Sequence, residues 1–300
     1  MDALKQKWLD AIGKPSTLCG YGAAVRTSTF SHPEFDAEWY SQPTLGGRPQ
    51  RVLMLFPPSL VGQAPAVAVP FYYPEAMLGY DPASGEVLER FRGIEMMLQL
   101  VRRGYIVASA DAYHLTYIES EKARGDFSRW QDAADALRGD HPHFSGIGKL
   151  LDDTRLLIDL MVSDARVDSE RIGIAGHSLG GKMAFYSGCL DTRVRAILAS
   201  DFGICWHQTN WESDWYWGKD AARLSAEGFD HAELLSIAKK PFCLIAGQYD
   251  NEESYAAMRR AKGYREGDGR LHFIHHATGH RPPLWALSEG YDFLDRHLKG

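Results

Sequence analysis

The stretch Arg171-Ile-Gly-Ile-Ala-Gly-His-Ser-Leu-Gly-Gly-Lys182 sets the fold class of this chain. Its centre, Gly176-His177-Ser178-Leu179-Gly180, fits G-x-S-x-G, the turn that raises a serine above the end of a strand and leads directly into a helix. Glycine is needed on both sides because the turn is tight and side chains there would collide with the next element. The isoleucine-rich run before the motif predicts a buried parallel strand, and the run after it predicts a helix.

Two other interpretations of this stretch remain open. The first is a tight strand-to-helix turn that carries a serine by chance. The second is a phosphate-binding loop, because residues 176–182 also match G-x-x-x-x-G-K. A phosphate-binding loop needs Ser or Thr at the next position to hold magnesium, and this chain has Met183 there. The motif therefore favours a nucleophilic serine over a nucleotide site.

The remaining chain alternates between strand and helix patterns from residue 64 to the end. Apolar runs predict strands at residues 51–56, 64–73, 104–111, 171–175, 194–200, 241–246 and 271–275. Stripes at helical spacing predict helices at residues 85–103, 144–162, 251–262 and 283–298. Such alternation predicts an α/β fold with a mostly parallel sheet covered by helices on both faces. No linker or repeat divides the chain, so we expect one domain over residues 1–300, in which residues 1–50 form a helix and a loop-rich extension.

Two aromatic-rich segments, residues 112–145 and 203–238, interrupt this alternation. Both follow predicted strands at their carboxyl ends, where open α/β sheets bind ligands. The second segment is therefore a candidate partial lid or pocket wall, although its aromatic side chains would equally serve to pack the insertion onto the body. The candidate substrate-binding residues are Tyr73, His177, Trp206, Trp211 and Trp215.

A nucleophilic serine needs a base, and the base needs a carboxylate that orients it. In chains with this motif the acid and the histidine follow the serine. Asp250 comes just after the predicted strand 241–246, and so would lie at the same sheet edge as Ser178; its alternative role is to cap the next helix. His280 lies in the loop between the last strand and the last helix, from which an imidazole can reach the serine. The sequence therefore predicts Ser178, Asp250 and His280 as the catalytic residues.

Attack of such a serine on a carbonyl also needs donors for the oxygen that becomes negatively charged. The backbone N–H of Leu179, directly after the serine, is one expected donor, and the other should come from the loop after the strand that starts at residue 64. Pro70 has no N–H to donate. Among the other residues of this loop we favour Tyr72 as the second donor, with Phe71 and Tyr73 as the alternatives.

Composition excludes several other classes of protein. The 300 residues carry a net charge of −6 without a basic block, which disfavours nucleic acid and anionic membranes as partners.

The four cysteines show no C-x-x-C spacing, so we expect buried free thiols. The neighbouring His275, His276 and His280 lack interleaved acidic ligands, so we expect no metal site. The start lacks the pattern of a secretory signal and no apolar stretch is long enough to span a bilayer, from which we expect a cytoplasmic protein.

With these residues the chain resembles the α/β-hydrolase superfamily, and within it the dienelactone-hydrolase-like and acetyl xylan esterase-like branch. The resemblance covers about residues 50–300 and rests on Gly176-His-Ser-Leu-Gly-Gly181, Gly247-Gln-Tyr-Asp250 and Gly279-His280. It implies a roughly eight-stranded sheet, no cofactor and hydrolysis of carboxylic esters through an acyl-serine intermediate. The chain departs from the pattern at Pro70-Phe-Tyr-Tyr73, where such enzymes commonly have a His-Gly loop, and it has serine where true dienelactone hydrolases have cysteine.

The sequence thus predicts a serine hydrolase that cleaves small carboxylic esters, with acylated sugars as one substrate class. An acyltransferase or a peptidase would use the same three residues, and a non-catalytic ligand-binding homologue is the alternative from another class. The sequence leaves open whether the chain forms a homo-oligomer.

Overall fold

The computed structural model describes residues 3–14, 21–46 and 48–300. All nine strands of these residues join in one sheet, in the order β1-β2-β3-β5-β4-β6-β7-β8-β9. The strands are β1 (Val25–His32), β2 (Phe35–Gln42), β3 (Gln50–Phe56), β4 (Ala64–Ala68), β5 (Ile106–Ala110), β6 (Val167–His177), β7 (Val194–Ser200), β8 (Phe242–Ala246) and β9 (Leu271–His275).

The first part of the sheet is antiparallel and the larger part is parallel. Strands β1, β2, β3 and β5 pair antiparallel to one another, whereas β5, β4, β6, β7, β8 and β9 pair in parallel. Every residue of β4, β5 and β8 is buried, as is usual where helices cover both faces of a sheet. The predicted mostly parallel sheet is therefore confirmed, with nine strands instead of about eight.

Eleven α-helices accompany the sheet in the described part of the chain. They are α1 (Ala3–Ile12), α2 (Pro74–Leu78), α3 (Met96–Arg102), α4 (Tyr113–Thr116), α5 (Phe127–Asp140), α6 (Gly146–Ser163), α7 (Leu179–Leu190), α8 (Asp220–Ala226), α9 (Ala232–Ala238), α10 (Glu252–Arg259) and α11 (Leu284–Leu298). The two predicted insertions contain short helices: α4 and α5 lie in the first, and α8 and α9 lie in the second.

Helices lie on both faces of the sheet, as the alternating residues of β7 show. A Cβ added to Gly188 of α7 would approach the side chain of Ile197, whereas a Cβ added to Gly290 of α11 would approach that of Leu198. Successive side chains of a strand point to opposite faces. Helices α7 and α11 therefore cover opposite faces of β7.

Three predicted elements differ from the structure. The strand predicted over residues 64–73 ends at Ala68, shortly before Pro70, which has no N–H for strand pairing. The segment before residue 50, predicted to be loop-rich, contains the β1-β2 hairpin; β1 is largely exposed, and so it lacks the apolar alternation that predicts a strand. The predicted helix over residues 85–103 is broken, with a short 3-10 turn at Glu89–Phe91 and α3 beginning only at Met96. Gly93 between them has φ +89°, a left-handed conformation that interrupts an α-helix.

Candidate active site

Ser178 occupies the turn between β6 and α7. Strand β6 ends at His177 and helix α7 begins at Leu179, so a single residue makes the connection. Ser178 has φ 57° and ψ −117°, a strained conformation for a residue with a side chain, and its N–H donates to the Ser200 carbonyl at 2.8 Å. Strain of this kind costs about 1–3 kcal/mol and is held by the surrounding structure. The expected strand, turn and helix therefore follow one another around the serine.

The glycines on either side of Ser178 allow close backbone contacts. A Cβ on Gly176 would lie 2.1 Å from the Gly180 carbonyl oxygen, and a Cβ on Gly180 would lie 2.3 Å from the carbonyl oxygen of Pro70. Neither space can hold a methyl group. The same approach brings the loop after β4 against the first turn of α7, beside the serine.

His280 contacts Ser178 from the loop between β9 and α11. Its Nε2 lies 2.9 Å from Ser178 Oγ, and its Nδ1 lies 2.6 Å from Oδ2 of Asp201. A carboxylate only accepts hydrogen bonds, so Nδ1 carries the proton and Nε2 is free to accept one from the serine hydroxyl. The rings of His177 and Tyr249 flank the imidazole, with centroids at 4.6 and 4.8 Å. The structure thus brings together Ser178 and His280, two of the three predicted catalytic residues.

The carboxylate next to His280 belongs to Asp201 and not, as predicted, to Asp250. Asp201 directly follows β7, whereas Asp250 follows β8, one strand farther from the serine. Asp250 is fully buried, and its carboxylate accepts the N–H groups of Phe202, Gly203 and Ile204 at 2.8 Å each. Its oxygens are occupied by the loop that follows Asp201. Asp250 therefore supports this loop and makes no contact with the histidine.

Each of the two aspartates accepts backbone hydrogen bonds from the loop next to the other aspartate. Just as Asp250 accepts N–H groups from the loop after Asp201, Asp201 accepts N–H groups from the four residues 247–250, at 2.9–3.1 Å. Burial alone would raise the pKa of Asp201, but the hydrogen bonds from His280 and these N–H groups outweigh it and lower the pKa. Burial raises the pKa of Asp250. Asp201 is therefore the carboxylate kept ionised beside the imidazole.

The predicted oxyanion donors lie on two neighbouring segments. Leu179 is the first residue of α7, and N–H groups in the first turn of a helix have no partner within the helix. Tyr72 lies in the loop that packs against Gly180, and its carbonyl accepts the N–H of Ala112 at 3.1 Å. The backbone thus places both segments beside Ser178, and their role as donors remains a prediction.

Two of the predicted substrate-binding residues, Tyr73 and His177, are largely buried, and His177 directly precedes the serine. The guanidinium of Arg124 covers the Tyr73 ring at 3.8 Å from its centroid. His177 contacts Ser200 Oγ through Nδ1 at 3.1 Å, and burial lowers the pKa of His177 to about 3. A neutral imidazole therefore packs against His280.

The tryptophans of the second insertion mainly anchor it to the body. Trp211 is 0% exposed and donates to the Gly203 carbonyl, so the prediction that it contacts substrate is wrong. Trp206 donates to the Phe229 carbonyl, and both tryptophan rings pack on the ring of His231. Trp215 is half-buried. Packing of the insertion, the alternative that the sequence left open, thus accounts for Trp211 and for most of Trp206.

Trp215 joins the two insertions. Its ring stacks on the half-exposed ring of Phe127 at 5.7 Å between centroids. Nearby, Asp214 accepts hydrogen bonds from Gln131 and Arg138 of α5. The segment after β5 and the segment after β7 therefore form one continuous cover at this edge of the sheet.

Lys182, the lysine of the alternative phosphate-binding motif, is a buried amine. It is 2% exposed, and its Nζ donates to Thr209 Oγ1 at 3.2 Å and to Asn210 Oδ1 at 3.3 Å. It forms no ion pair within the described residues, and burial lowers its pKa to about 7. The amine thus ties α7 to the second insertion through neutral acceptors.

Replacing Lys182 by Met should change how stability depends on pH. The pKa of Lys182 is lower in the folded chain than its ordinary value of 10.5, so between pH 7 and 10.5 the unfolded chain binds more protons. Wild-type stability therefore rises with pH in this window, and Lys182→Met removes that rise. Between pH 7 and pH 9, the free energy of unfolding of wild type should rise by about 2 kcal/mol relative to that of Lys182→Met.

Denaturant unfolding at the two pH values measures this difference. The exposed Lys219 provides the control, since Lys219→Met should leave the pH dependence unchanged. If the difference in free energy of unfolding between wild type and Lys182→Met is the same at pH 7 and pH 9, the pKa of Lys182 is not lowered in the folded chain.

The other sequence expectations concern thiols, metals and membranes. Cys189 and Cys243 are buried free thiols and Cys205 is a half-buried one, whereas Cys19 lies outside the described residues. Within residues 3–14, 21–46 and 48–300 no group of three or more His, Cys, Asp or Glu side chains is arranged to hold a metal ion. In the same residues, no helix is both long and apolar enough to cross a membrane.

The fold and the serine turn define an α/β-hydrolase, and comparison with known proteins agrees. The model of the dienelactone hydrolase family matches residues 85–209. The chain has the α/β-hydrolase fold, and its predicted resemblance to the dienelactone hydrolase and acetyl xylan esterase branch is confirmed. A search of curated protein sequences found no match.

Several solved esterase structures share this fold. A glucuronoyl esterase from Solibacter usitatus has a TM-score of 0.67 and 13% identity, over 95% of this chain and 88% of that one. An acetyl xylan esterase from a Paenibacillus species has a TM-score of 0.63 and 15% identity, over 99% and 92%. A glucuronoyl esterase from Teredinibacter turnerae has a TM-score of 0.62 and 17% identity, over 92% and 77%. At these identities the likeness to solved structures establishes the fold alone. The family match over residues 85–209 supports a carboxylic ester hydrolase, as the sequence predicted.

Proposed function

We propose that this protein hydrolyses carboxylic esters through an acyl-enzyme intermediate on Ser178. The observation that carries the proposal is the unbroken chain of hydrogen bonds from Ser178 Oγ to His280 and from His280 to the Asp201 carboxylate. A serine hydroxyl becomes a competent nucleophile when a neighbouring imidazole accepts its proton. The carboxylate orients the imidazole and stabilises the positive charge that develops on it.

In the first half of the reaction, Ser178 Oγ attacks the ester carbonyl while His280 Nε2 takes the hydroxyl proton. The carbonyl oxygen becomes negatively charged, and the backbone N–H groups of Leu179 and Tyr72 stabilise it. Collapse of this intermediate breaks the bond to the alkoxy oxygen, which leaves as the alcohol with the proton from His280. In the second half, His280 takes a proton from a water molecule that attacks the acyl carbon. The bond from that carbon to Ser178 Oγ then breaks, His280 returns the proton to Oγ, and the acid leaves.

Asp201 acts through His280 in both halves. It is 0% exposed and holds four backbone N–H groups besides the imidazole, so its position is fixed before substrate arrives. Its lowered pKa keeps it ionised in neutral solution. Preorganised charges of this kind need no rearrangement during the reaction and are effective in catalysis for that reason.

For the substrate, we propose small esters with acylated sugars among them. The structural relatives include enzymes named as glucuronoyl and acetyl xylan esterases. In this chain, Phe127 and Trp215 offer an aromatic surface in the cover formed by the two insertions, and the apolar faces of sugar rings pack on such surfaces. An acyltransferase or peptidase would differ only in the acceptor or the leaving group, and would use the same three side chains.

Labelling with a fluorophosphonate tests the nucleophile directly. The reagent should add to Ser178 once per chain, as seen by mass spectrometry of the intact protein and of the peptide that contains residues 171–182. A burst of p-nitrophenol from p-nitrophenyl acetate should report the acyl-enzyme. Native protein that shows neither labelling of Ser178 nor ester turnover would refute the proposal and favour the non-catalytic ligand-binding alternative.

A panel of esters then tests the substrate class. Acetyl, butyryl, feruloyl and glucuronoyl esters should be compared by kcat/KM, with a peptide amide included for the peptidase alternative. A preference for the acetyl or glucuronoyl sugar esters would support acylated sugars. A preference for simple alkyl esters would restrict the proposal to small esters.

A further inference from the structure

Four charged side chains form an ionic network behind the loop that carries Tyr72. The network consists of Arg51, Glu75, Asp111 and Arg124. Arg51 donates to both carboxylates, with Nη1 at 2.9 Å from Glu75 Oε1 and Nε at 2.9 Å from Asp111 Oδ2. Arg124 Nη2 lies 2.9 Å from Glu75 Oε2 and 3.3 Å from Asp111 Oδ1. Each carboxylate therefore binds two guanidinium groups.

The four members come from four separate segments. Arg51 belongs to β3, Glu75 to the first turn of α2, and Asp111 follows β5 directly. Arg124 lies in the insertion between α4 and α5. Both carboxylates are only 5% exposed, whereas the two arginines are partly exposed. The network thus connects the first insertion, which contains Arg124, to the sheet and to the start of α2, beside the loop that follows β4.

The Tyr72 peptide lies between contacts that depend on this network. On one side, the Tyr72 carbonyl accepts the N–H of Ala112, the residue after Asp111. On the other side, Glu75 is three residues further along the chain, and the guanidinium of Arg124 covers the ring of Tyr73. Movement of Glu75 or Arg124 would therefore shift the backbone that directly follows the Tyr72 N–H.

We propose that Glu75 and Arg124 are positioning residues that hold the Tyr72 N–H where it can stabilise the oxyanion. This inference rests on the proposed esterase function. The two side chains touch neither substrate nor the reacting atoms, and they act through the backbone of the loop.

The energetics of buried ion pairs favour a geometric role over a stabilising one. Desolvation of two charges offsets most of their attraction, so such networks add little net stability. An oxyanion donor, in contrast, is sensitive to position, and losing one lowers kcat by roughly 10²- to 10³-fold. A small displacement of the Tyr72 N–H should therefore lower kcat by a part of this factor.

The network has a matched counterpart elsewhere in the sheet. Glu38 of β2 is 8% exposed and accepts hydrogen bonds from Arg166 at 2.9 and 3.0 Å and from Arg26 at 3.2 Å. Arg166 directly precedes β6 and Ser178 directly follows it, so the two residues lie at opposite ends of this strand. Glu38→Gln thus removes a buried, doubly paired carboxylate far from the candidate site.

Glu75→Gln tests the inference with Glu38→Gln as its control. In Glu75→Gln we expect kcat for p-nitrophenyl acetate to fall by about 10- to 30-fold, a part of the factor for a lost donor, with KM within about twofold of wild type. A boronic acid that forms a tetrahedral adduct on Ser178 places an oxygen at the oxyanion position, so its Ki should rise by a similar factor. Glu38→Gln should keep both the wild-type kcat and the wild-type Ki.

The same measurements on Arg124→Gln guard against a folding failure of Glu75→Gln. Arg124 is 39% exposed at its side chain, so its replacement buries no new group. The inference is overturned if folded Glu75→Gln and folded Arg124→Gln both keep kcat and the boronate Ki within about twofold of the values for Glu38→Gln. Such a change is far smaller than the loss of an oxyanion donor causes. If the fluorophosphonate does not label Ser178 of wild type, the proposed function itself fails. If wild type is labelled but kcat and Ki are unchanged in Glu75→Gln and Arg124→Gln, only the positioning role is refuted.

Discussion

Asp201→Asn should lower kcat for ester hydrolysis by about 10⁴-fold while Ser178 and His280 stay in place. The asparagine side chain can donate to Nδ1, which then no longer carries the proton, so that Nε2 becomes protonated and cannot accept one from the serine. The amide also cannot stabilise the imidazolium. Single-turnover acylation with p-nitrophenyl acetate measures the step that is affected.

Asp250→Asn is the control that separates the predicted acid from the observed one. Asp250 accepts hydrogen bonds from the loop after Asp201 and from Ser254, but makes no contact with His280. Replacing it should lower the midpoint of thermal unfolding and reduce kcat by no more than about 10-fold, because the His280–Asp201 contact is retained. A loss of kcat in folded Asp250→Asn that matches the loss in Asp201→Asn would contradict the assignment of Asp201.

Ser178→Ala should abolish fluorophosphonate labelling and lower kcat by about 10⁴- to 10⁶-fold. The residual rate would come from the remaining groups acting on water, since no acyl-enzyme forms without the hydroxyl. Its stability should stay close to that of wild type, because alanine at φ 57° keeps the strain of the turn. Burst kinetics and intact-protein mass spectrometry both report the missing intermediate.

Ser187 on the same helix supplies the matched control for this variant. Its hydroxyl is buried and has no hydrogen-bond partner among the residues that the structure describes, so Ser187→Ala removes a serine from α7 without removing such a bond. We expect wild-type kcat and full labelling. Persistent hydrolysis in Ser178→Ala at the rate of Ser187→Ala would show that another group performs the reaction.

The sheet was predictable where burial leaves a strong pattern. Continuous apolar runs marked the central strands, and β7 begins and ends at the predicted residues. The β1-β2 hairpin was missed because exposed edge strands are held by backbone pairing, which side-chain hydrophobicity does not reveal. The break at Gly93 was missed because the apolar stripe continues across it, and only the backbone conformation interrupts the helix.

The candidate site was predictable in part for a similar reason. A turn as constrained as that around Ser178 requires glycines, which leave a visible motif, and His280 stands in a loop after the last strand. Asp201 and Asp250 are equivalent by the same criterion, since each is an aspartate at the carboxyl end of a parallel strand. One signal in the sequence pointed to Asp201: it directly follows the strand 194–200, the next strand after that of the serine.

Local chemistry along the chain thus determined the parallel sheet, the strained serine turn and the loop that brings an imidazole to it, because each depends on short-range patterns of burial and backbone freedom. Only the tertiary structure decided which carboxylate that imidazole meets, and that Trp211 packs the insertion instead of facing substrate. Both outcomes depend on distances between segments that are far apart in the chain. Two aspartates at equivalent strand ends are candidates for one histidine, and only their positions in space show which of them contacts it.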